Sequence, residues 1–144
     1  LGFSDGGNIA LLFALQYPQY IDKLILNGAN LDPSGVKRTT QLPIELGWAS
    51  LKVRSHFDPT AQPKLERMEL MVHQPHISLL ELRKLRLPTL VVAGDRDMIK
   101  EAHTRAISAS IPTSRLSILP GTHFLARDQR EAFNALVLEF LAKG

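Results

Sequence analysis

The 144-residue sequence contains no cysteine, which excludes disulfide bonds and thiol chemistry. Aromatic residues make up only 6% of it, and no apolar run is long enough to cross a membrane. The formal charge of +3 is small, and the basic residues are scattered apart from Arg83-Lys84 and Arg86. A nucleic-acid-binding surface needs clustered positive charge, so none is expected. The normal apolar fraction of 44% indicates instead about one globular domain.

The first seven residues, Leu-Gly-Phe-Ser-Asp-Gly-Gly, carry the most informative pattern. Gly2, Ser4 and Gly6 fit Gly-x-Ser-x-Gly, in which a serine occupies a tight turn between a strand and a helix. We expect side chains at Gly2 and Gly6 to collide as the backbone doubles back, and Ser4 to be strained. An apolar segment then runs to Pro18 and predicts a buried helix whose N-terminus points at Ser4. Taken alone, such a stretch also fits an ordinary turn.

Two later segments each combine a short apolar strand with a loop that contains a polar residue. Residues 90–93 read as a buried parallel strand, and Asp97 stands in the loop that follows. Residues 114–119 read as another strand, followed by a Pro-Gly loop that carries His123. The chain order Ser, Asp, His is one of three known orders for a catalytic triad. His123 also fits a surface loop residue or a helix cap.

With these motifs the chain resembles the carboxyl-terminal portion of an α/β-hydrolase, most closely the small single-domain serine hydrolases with a Ser-Asp-Gly-Gly elbow. The resemblance covers nearly the whole chain and is weakest between about residues 32 and 76. It implies a parallel-sheet α/β fold that is partial, because it starts at the nucleophile elbow. We predict that residues 1–30 and 77–144 belong to the hydrolase core and that residues 31–76 form a short helical cap.

The periodicity of apolar residues predicts where the regular elements lie. Strands are expected over residues 23–27, 89–93 and 115–119. Helices are expected over residues 6–17, 42–55, 63–72, 77–85, 100–110 and 127–142. Alternation of strands and helices indicates parallel pairing.

The triad chemistry assigns a role to each polar residue that follows a strand. Ser4 is the predicted nucleophile, His123 the general base and then acid, and Asp97 the carboxylate that orients the histidine. The family pattern Gly-x-x-Asp selects Asp97, whereas Asp95 is expected to cap backbone amides. The resemblance implies that the Asp5 N–H is one oxyanion donor. The second comes from a loop between an earlier strand and helix, which this sequence does not contain.

Three residues are candidates for substrate binding: Asp5, Trp48 and Phe124. The Asp5 side chain could attract a substrate amine, as in the hydrolysis of amino-acid esters, or could simply cap the helix. Trp48 belongs to a set of large apolar residues expected on the underside of the cap. The other members are Phe57, Met68 and Met71. At helical spacing such residues also fit plain core.

No metal or organic cofactor is expected, because triad chemistry needs neither. His73 and His76 are spaced like metal ligands, but Pro75 breaks the helix that would align them. The other two histidines, His56 and His103, have no position after a strand. We expect a small-molecule substrate, no nucleic-acid or membrane partner, and self-association through an incomplete sheet edge. The expected compartment is the cytoplasm, although a signal peptide stays open.

The sequence therefore predicts a serine hydrolase that cleaves a small carboxylic ester through an acyl-serine intermediate. A C–C-bond hydrolase or an aminopeptidase of the same fold is the enzymatic alternative. A non-catalytic hydrolase-like fragment, or a module that binds a small molecule, is the alternative from another class.

Overall fold

The computed structural model describes residues 1–143 and contains one parallel four-stranded sheet. Its strands lie side by side in chain order, and they are β1 (Gly2–Phe3), β2 (Leu24–Asn27), β3 (Thr89–Gly94) and β4 (Ser114–Leu119). Every neighbouring pair is parallel, as predicted. The central strands β2 and β3 are buried along their whole length because helices cover both faces.

Within residues 1–143, seven α-helices connect or flank the strands. They are α1 (Asp5–Gln16), α2 (Arg38–Ser55), α3 (Gln62–His73), α4 (Leu79–Leu82), α5 (Glu101–Ser110), α6 (Leu125–Asp128) and α7 (Arg130–Ala142). Short 3₁₀ turns occur at Pro18–Tyr20, Pro33–Gly35 and Pro59–Ala61. Helices α2 and α3 fall within the segment 31–76 and pack against each other, and the role of this segment as a cap stays a prediction.

The two faces of the sheet carry separate apolar clusters, because successive side chains of a strand point to opposite faces. On one face, Leu26 and Val91 pack with Leu11 of α1 and Ile107 of α5. The other cluster joins alternate residues of β2 and β3 to α7; it contains Ile25, Leu90, Val92, Phe133, Leu136 and Phe140. The sheet edge that carries the functional loops is thereby supported from both sides.

The helix predicted over residues 77–85 is wrong in extent: only the single turn α4 forms. Ile77 lies before the helix, and its N–H donates to the Leu31 carbonyl at 2.8 Å. Ser78 then caps α4, and the Glu81 carboxylate returns to the Ser78 N–H in a capping box. The capping box therefore sets where this helix begins.

The helix predicted over residues 127–142 is in fact two helices, α6 and α7, which meet at Gln129. The Asp128 carboxylate accepts hydrogen bonds from the N–H (3.0 Å) and the hydroxyl of Thr122, and so ties α6 back to the preceding loop. On α7, Phe133, Leu136 and Phe140 pack in the core, whereas Leu141 is 48% exposed.

The expected apolar underside of residues 31–76 is only partly present. Trp48 and Met68 are half-buried, but Met71 is exposed and Phe57 is 86% exposed in the turn after α2. Helix α2 also begins four residues before the predicted start, so that Pro43 lies inside it.

No helix among residues 1–143 combines the length and the apolar character needed to cross a membrane.

Candidate active site

Ser4 lies at the turn between β1 and α1, in the strained backbone conformation that the sequence predicts. Its φ of 53° is the only positive value among the non-glycine residues of the described chain. The Ser4 N–H donates to the Asn27 carbonyl at 2.8 Å, and its own carbonyl accepts from the N–H groups of Gly7 and Asn8. The strained backbone conformation of Ser4 is maintained because hydrogen bonds to β2 and to the first turn of α1 fix the residue on both sides.

A side chain would collide at Gly2, as predicted, but it would not collide at Gly6. A Cβ atom on Gly2 would lie 2.3 Å from the Gly6 carbonyl oxygen, so that no side chain fits there. A Cβ atom on Gly6 would meet nothing within 4 Å, and that expectation is wrong. The close approach is made instead by Gly7, whose Cβ would lie 2.9 Å from that of Ala29. The second tight contact is thus one residue later, where α1 approaches the loop after β2.

The two aspartates after β3 occupy different environments. Asp97 is 2% exposed, and its Oδ1 accepts a hydrogen bond from the Ile99 N–H at 2.9 Å. Asp95 is exposed, and its Oδ1 accepts from the Gly121 N–H at 2.8 Å. The expectation that Asp95 caps a backbone amide is confirmed.

Ser4, His123 and Asp97 form a continuous hydrogen-bonded chain. The His123 Nε2 lies 3.0 Å from the Ser4 Oγ, although the two residues are 119 positions apart. The His123 Nδ1 lies 2.7 Å from the Asp97 Oδ1, and both side chains are buried. In neutral His123 the proton on Nδ1 is donated to Asp97, which leaves Nε2 free to accept the serine proton.

The His123 ring is enclosed on several sides. Gly28, with a φ of 63°, approaches one side so closely that a Cβ atom there would lie 2.8 Å from the ring Cε1. The Phe3 ring packs at 4.9 Å between centroids, and the Phe124 ring contacts the imidazole edge-on at 5.7 Å. This packing restricts the imidazole to the plane in which it meets both Ser4 and Asp97.

Asp5 is the first residue of α1, and it does not cap the helix as one of the alternatives suggested. The N-cap is Ser4, which makes no side-chain capping bond. The N–H of Asp5 donates to no acceptor among residues 1–143, and its carboxylate is exposed. A free N–H at a helix N-terminus, next to the serine, is suited to stabilise negative charge.

Two cavities border the site. One of about 370 Å³ lies between α1 and the end of α3. Its lining contains Asp5, Asn8, Ile9, Leu12, Leu70, Gln74 and Pro75. The other, of about 260 Å³, lies beside β1 and is almost entirely apolar. Phe124 lines it together with Leu1, Phe3, Asn27, Ala126, Arg127 and Phe133.

Trp48, by contrast, is not brought to the triad. It lies on α2, edge-on to His73 at 5.0 Å, with the Lys52 ammonium over its ring. Among residues 1–143 no group of three or more His, Cys, Asp or Glu is placed to hold a metal ion.

Sequence reasoning missed three residues that support the site: Gly28, Asn8 and His103. Gly28 has a signal that could have found it, because an Asn-Gly pair directly after a buried strand is typical of a positive φ. Asn8 forms two hydrogen bonds with Asn30, and His103 accepts the Leu31 N–H. Neither contact has a local sequence signal, because the partners lie 22 and 72 residues apart.

The known proteins to which this chain is similar include several hydrolases. No protein-family model matches the chain. The human serine hydrolase BPHL is 30% identical over 159 positions, which cover 98% of this chain and 53% of that protein. A 2-hydroxy-6-oxononadienedioate/2-hydroxy-6-oxononatrienedioate hydrolase of Comamonas testosteroni is 27% identical, over 100% of this chain and 62% of its own.

Solved structures give the same fold. The meta-cleavage product hydrolase CumD of Pseudomonas fluorescens superposes with a TM-score of 0.72 at 21% identity, covering 97% of this chain and 62% of that one. This chain spans about half the length of BPHL and under two thirds of the other two.

Proposed function

This chain has the α/β-hydrolase fold, in the part that begins at the nucleophile elbow, and from that premise we propose that it forms the catalytic portion of a serine hydrolase. The proposed reaction is cleavage of a small carboxylic ester through an acyl-serine intermediate. The observation that carries the proposal is the chain of contacts from Ser4 through His123 to Asp97. The naming of BPHL as a serine hydrolase supports the same chemistry.

In the first half of the reaction, the Ser4 Oγ attacks the ester carbonyl carbon while the His123 Nε2 takes the hydroxyl proton. Asp97 stabilises the resulting imidazolium through the bond to Nδ1. The carbonyl oxygen becomes an oxyanion, which accepts a hydrogen bond from the Asp5 N–H at the positive end of α1. When the tetrahedral intermediate collapses, His123 gives its proton to the leaving alkoxide and the acyl group stays on Ser4.

In the second half, water replaces the alcohol. The water oxygen attacks the acyl carbon while the His123 Nε2 takes a proton from the water. His123 then gives that proton to the Ser4 Oγ as the bond between Ser4 and the acyl group breaks. The products are the free carboxylic acid and the regenerated serine. No electron transfer and no further reactant are needed.

The Asp5 carboxylate supports an amine-bearing acyl group as one form of the substrate. It is exposed next to Ser4 and lines a cavity whose other walls are mainly apolar. A cationic amine would pair with this carboxylate while an apolar side chain entered the cavity. For Asp5→Asn we expect kcat/KM to fall about tenfold for an aminoacyl ester and to stay unchanged for the des-amino ester. Equal effects on both esters would contradict the amine site.

A C–C-bond hydrolase is the second candidate, and the similarity to the Comamonas enzyme favours it. The same serine, histidine and aspartate would act, with a carbanion in place of the alkoxide as leaving group. An aminopeptidase also stays compatible with the triad. These candidates are separated by comparing the rates at which the protein hydrolyses three kinds of substrate: p-nitrophenyl esters, a ring-cleavage-type diketone and an aminoacyl anilide. We propose the cytoplasm as the compartment.

The decisive experiment is labelling of the chain with a fluorophosphonate, which reacts only with an activated serine. We expect one label per chain, located at Ser4 by peptide mass spectrometry, and none in Ser4→Ala. Ser50→Ala is the matched control, because Ser50 is an exposed serine on α2. A chain that is folded by circular dichroism yet unlabelled would refute the hydrolase and favour the binding module.

A further inference from the structure

The segment 32–76 leaves and re-enters the rest of the chain at one point, which we call the neck and define as Leu31 and Ile77. The Ile77 N–H donates to the Leu31 carbonyl at 2.8 Å, and both residues are buried. The two ends of this 45-residue segment are therefore joined by one backbone hydrogen bond, between Leu31 and Ile77, and by the apolar packing of these two side chains.

His103 completes the neck from the core side. The Leu31 N–H donates to the His103 Nε2 at 2.9 Å, so both backbone groups of Leu31 are bonded. The imidazole is half-buried, and it packs against the backbone of the Pro33–Gly35 turn so tightly that a Cβ on Gly35 would lie 2.6 Å from the ring. The His103 side chain therefore lies between its own helix, α5, and the start of the segment 32–76.

The bond requires neutral His103. An Nε2 that accepts a hydrogen bond carries no proton, so the ring proton is on Nδ1. Burial lowers the pKa of His103 below its ordinary 6.5; the nearby Asp32 opposes this shift and Lys100 adds to it. His76 is also near enough for its charge to lower the pKa of Asp32. Below about pH 6.5 the unfolded chain binds a proton that the folded neck excludes, so acid weakens the neck.

The neck is connected directly to the candidate site. One residue before it, the Asn30 N–H donates to the Asn8 Oδ1 at 2.9 Å, and Asn8 lies four positions after Ser4 on α1. Two residues further back, Gly28 touches the His123 ring.

After the neck, the segment 32–76 is tied to the loop that carries Asp97. The Lys37 N–H donates to the Met98 carbonyl, and the Lys100 N–H donates to the Gly35 carbonyl, both at 2.8 Å. A displacement of the neck would therefore be transmitted to the candidate site by two routes. One runs through Asn30 and Asn8 to α1, and the other runs through the start of the segment 32–76 to the loop that carries Asp97.

We propose that His103 is a positioning residue: by accepting the Leu31 N–H it holds the neck closed, and through the neck it sets how the segment 32–76 stands relative to Ser4. The inference rests on the proposed function, since it treats that segment as a cap over a reactive serine. It assigns His103 no contact with the substrate.

The bond itself is tested by NMR on the 144-residue chain, without any assumption about activity. In the wild type, the Leu31 amide proton is expected to shift upfield as acid protonates His103. In His103→Gln, whose Oε1 can still accept, the amide shift should not depend on pH in this range. In His103→Leu, hydrogen exchange of amides in residues 38–73 should accelerate about tenfold while that of β3 amides is unchanged. Equal acceleration in β3 would mean global destabilisation and would overturn the proposal.

The effect on the site is tested by the ratio of two fluorophosphonate labelling rates, one for a bulky and one for a small probe. His103→Leu is expected to change this ratio at least about fivefold, and His103→Gln to keep it within twofold of the wild type. His56→Leu is the control, because His56 is an exposed histidine at the end of α2, away from the neck. An unchanged ratio in His103→Leu, or equal ratios in both His103 variants, would overturn the positioning role.

The two tests fail separately. If no variant is labelled and the wild type is not labelled either, the hydrolase proposal fails, while the exchange data still decide whether His103 holds the neck. If the wild type is labelled and exchange in residues 38–73 does not respond to His103→Leu, the neck proposal alone is wrong.

Discussion

Asp95 and Asp97 have the same side chain and stand two residues apart, yet their surroundings give them different roles. Asp97 is buried against His123, and its Oδ1 is shared between the imidazole and the Ile99 N–H. Asp95 faces solvent and holds the Gly121 N–H of the loop that carries the histidine. One carboxylate therefore orients the base, and the other fixes the loop on which the base stands.

Asp97→Asn is expected to lower the Ser4 labelling rate by about 10³- to 10⁴-fold. The amide can still accept from Ile99 but stabilises neither the Nδ1-protonated tautomer nor the imidazolium. Asp95→Asn is the matched control, since its amide oxygen can keep the bond to Gly121, and we expect labelling within about threefold of the wild type. Similar losses in both variants would contradict the assignment of Asp97.

Gly28 is the residue that leaves room for the imidazole. Its φ of 63° favours glycine, and a side chain there would enter the space of the His123 ring. Gly28→Ala is expected to lower the free energy of unfolding by about 1–2 kcal/mol through backbone strain, measured by denaturant titration. It should also slow labelling about 100-fold, because the imidazole is displaced from Ser4.

Gly28→Asn separates these two effects. Asparagine tolerates the left-handed conformation but still carries a Cβ atom, so stability should partly recover while labelling stays slow. If labelling recovers along with stability, backbone strain rather than contact with His123 is the cause.

Among the secondary-structure elements, α7 is joined to β4 by a charged cluster on the surface. Glu139 of α7 accepts hydrogen bonds from Arg115 of β4 at 2.9 Å and from Lys143 at 2.6 Å. The hydrogen bonds from Arg115, and then that from Lys143, lower the pKa of Glu139 to about 2. Because the folded pKa lies below the ordinary 4.5, the cluster stabilises the fold above about pH 4.5 and is lost as the pH falls towards 2.

Glu139→Gln should therefore lower the midpoint of thermal unfolding near pH 6 and remove part of its dependence on pH between 5 and 2. The effect is small and decreases with added salt, because the whole cluster is exposed. Glu69→Gln on α3 is the control, since Glu69 has no ion-pair partner among residues 1–143. Circular dichroism melts at two salt concentrations measure both variants, and an identical pH dependence in both would refute the contribution of the cluster.

At the scale of the whole molecule, the sheet ends in a short and apolar edge. β1 pairs with β2 on one side only, and Leu1 is 67% exposed. Next to this edge, α1 and its C-cap residue present a further set of exposed apolar side chains: Ile9, Leu12, Phe13 and Tyr17. An unpaired strand beside an apolar helix face favours association with another chain.

We therefore propose that this chain self-associates through this edge. Sedimentation velocity at protein concentrations from roughly 5 to roughly 200 µM tests the proposal. Leu1→Lys places a charge on the edge strand and should shift the distribution towards monomer. Leu138→Lys introduces the same charge at a 65% exposed leucine on α7, and we expect it to leave association unchanged. A wild type that stays monomeric throughout would refute the proposal.

The fold and the site differ in how far the sequence could predict them. The strands β2, β3 and β4 were placed within a residue or so, because a short apolar run bounded by charged residues or glycine is a local signal. The helices at residues 77–85 and 127–142 were predicted wrongly. The first begins at the capping box of Ser78 and Glu81, and the second is divided where the Asp128 carboxylate accepts hydrogen bonds from Thr122.

What the sequence by itself determined is the parallel pairing of the strands, the strained turn at Ser4 and the three strand-end loops that carry Ser4, Asp97 and His123. Parallel strands bring such loops to one edge, so position along the chain was enough to place them together. Only the tertiary structure decided that Gly28 packs against the imidazole, that Gly7 rather than Gly6 makes the tight contact, and that His103 holds the neck. Each of these is a contact between segments distant in the chain, and a single side chain meeting a distant backbone leaves no periodic pattern in the sequence.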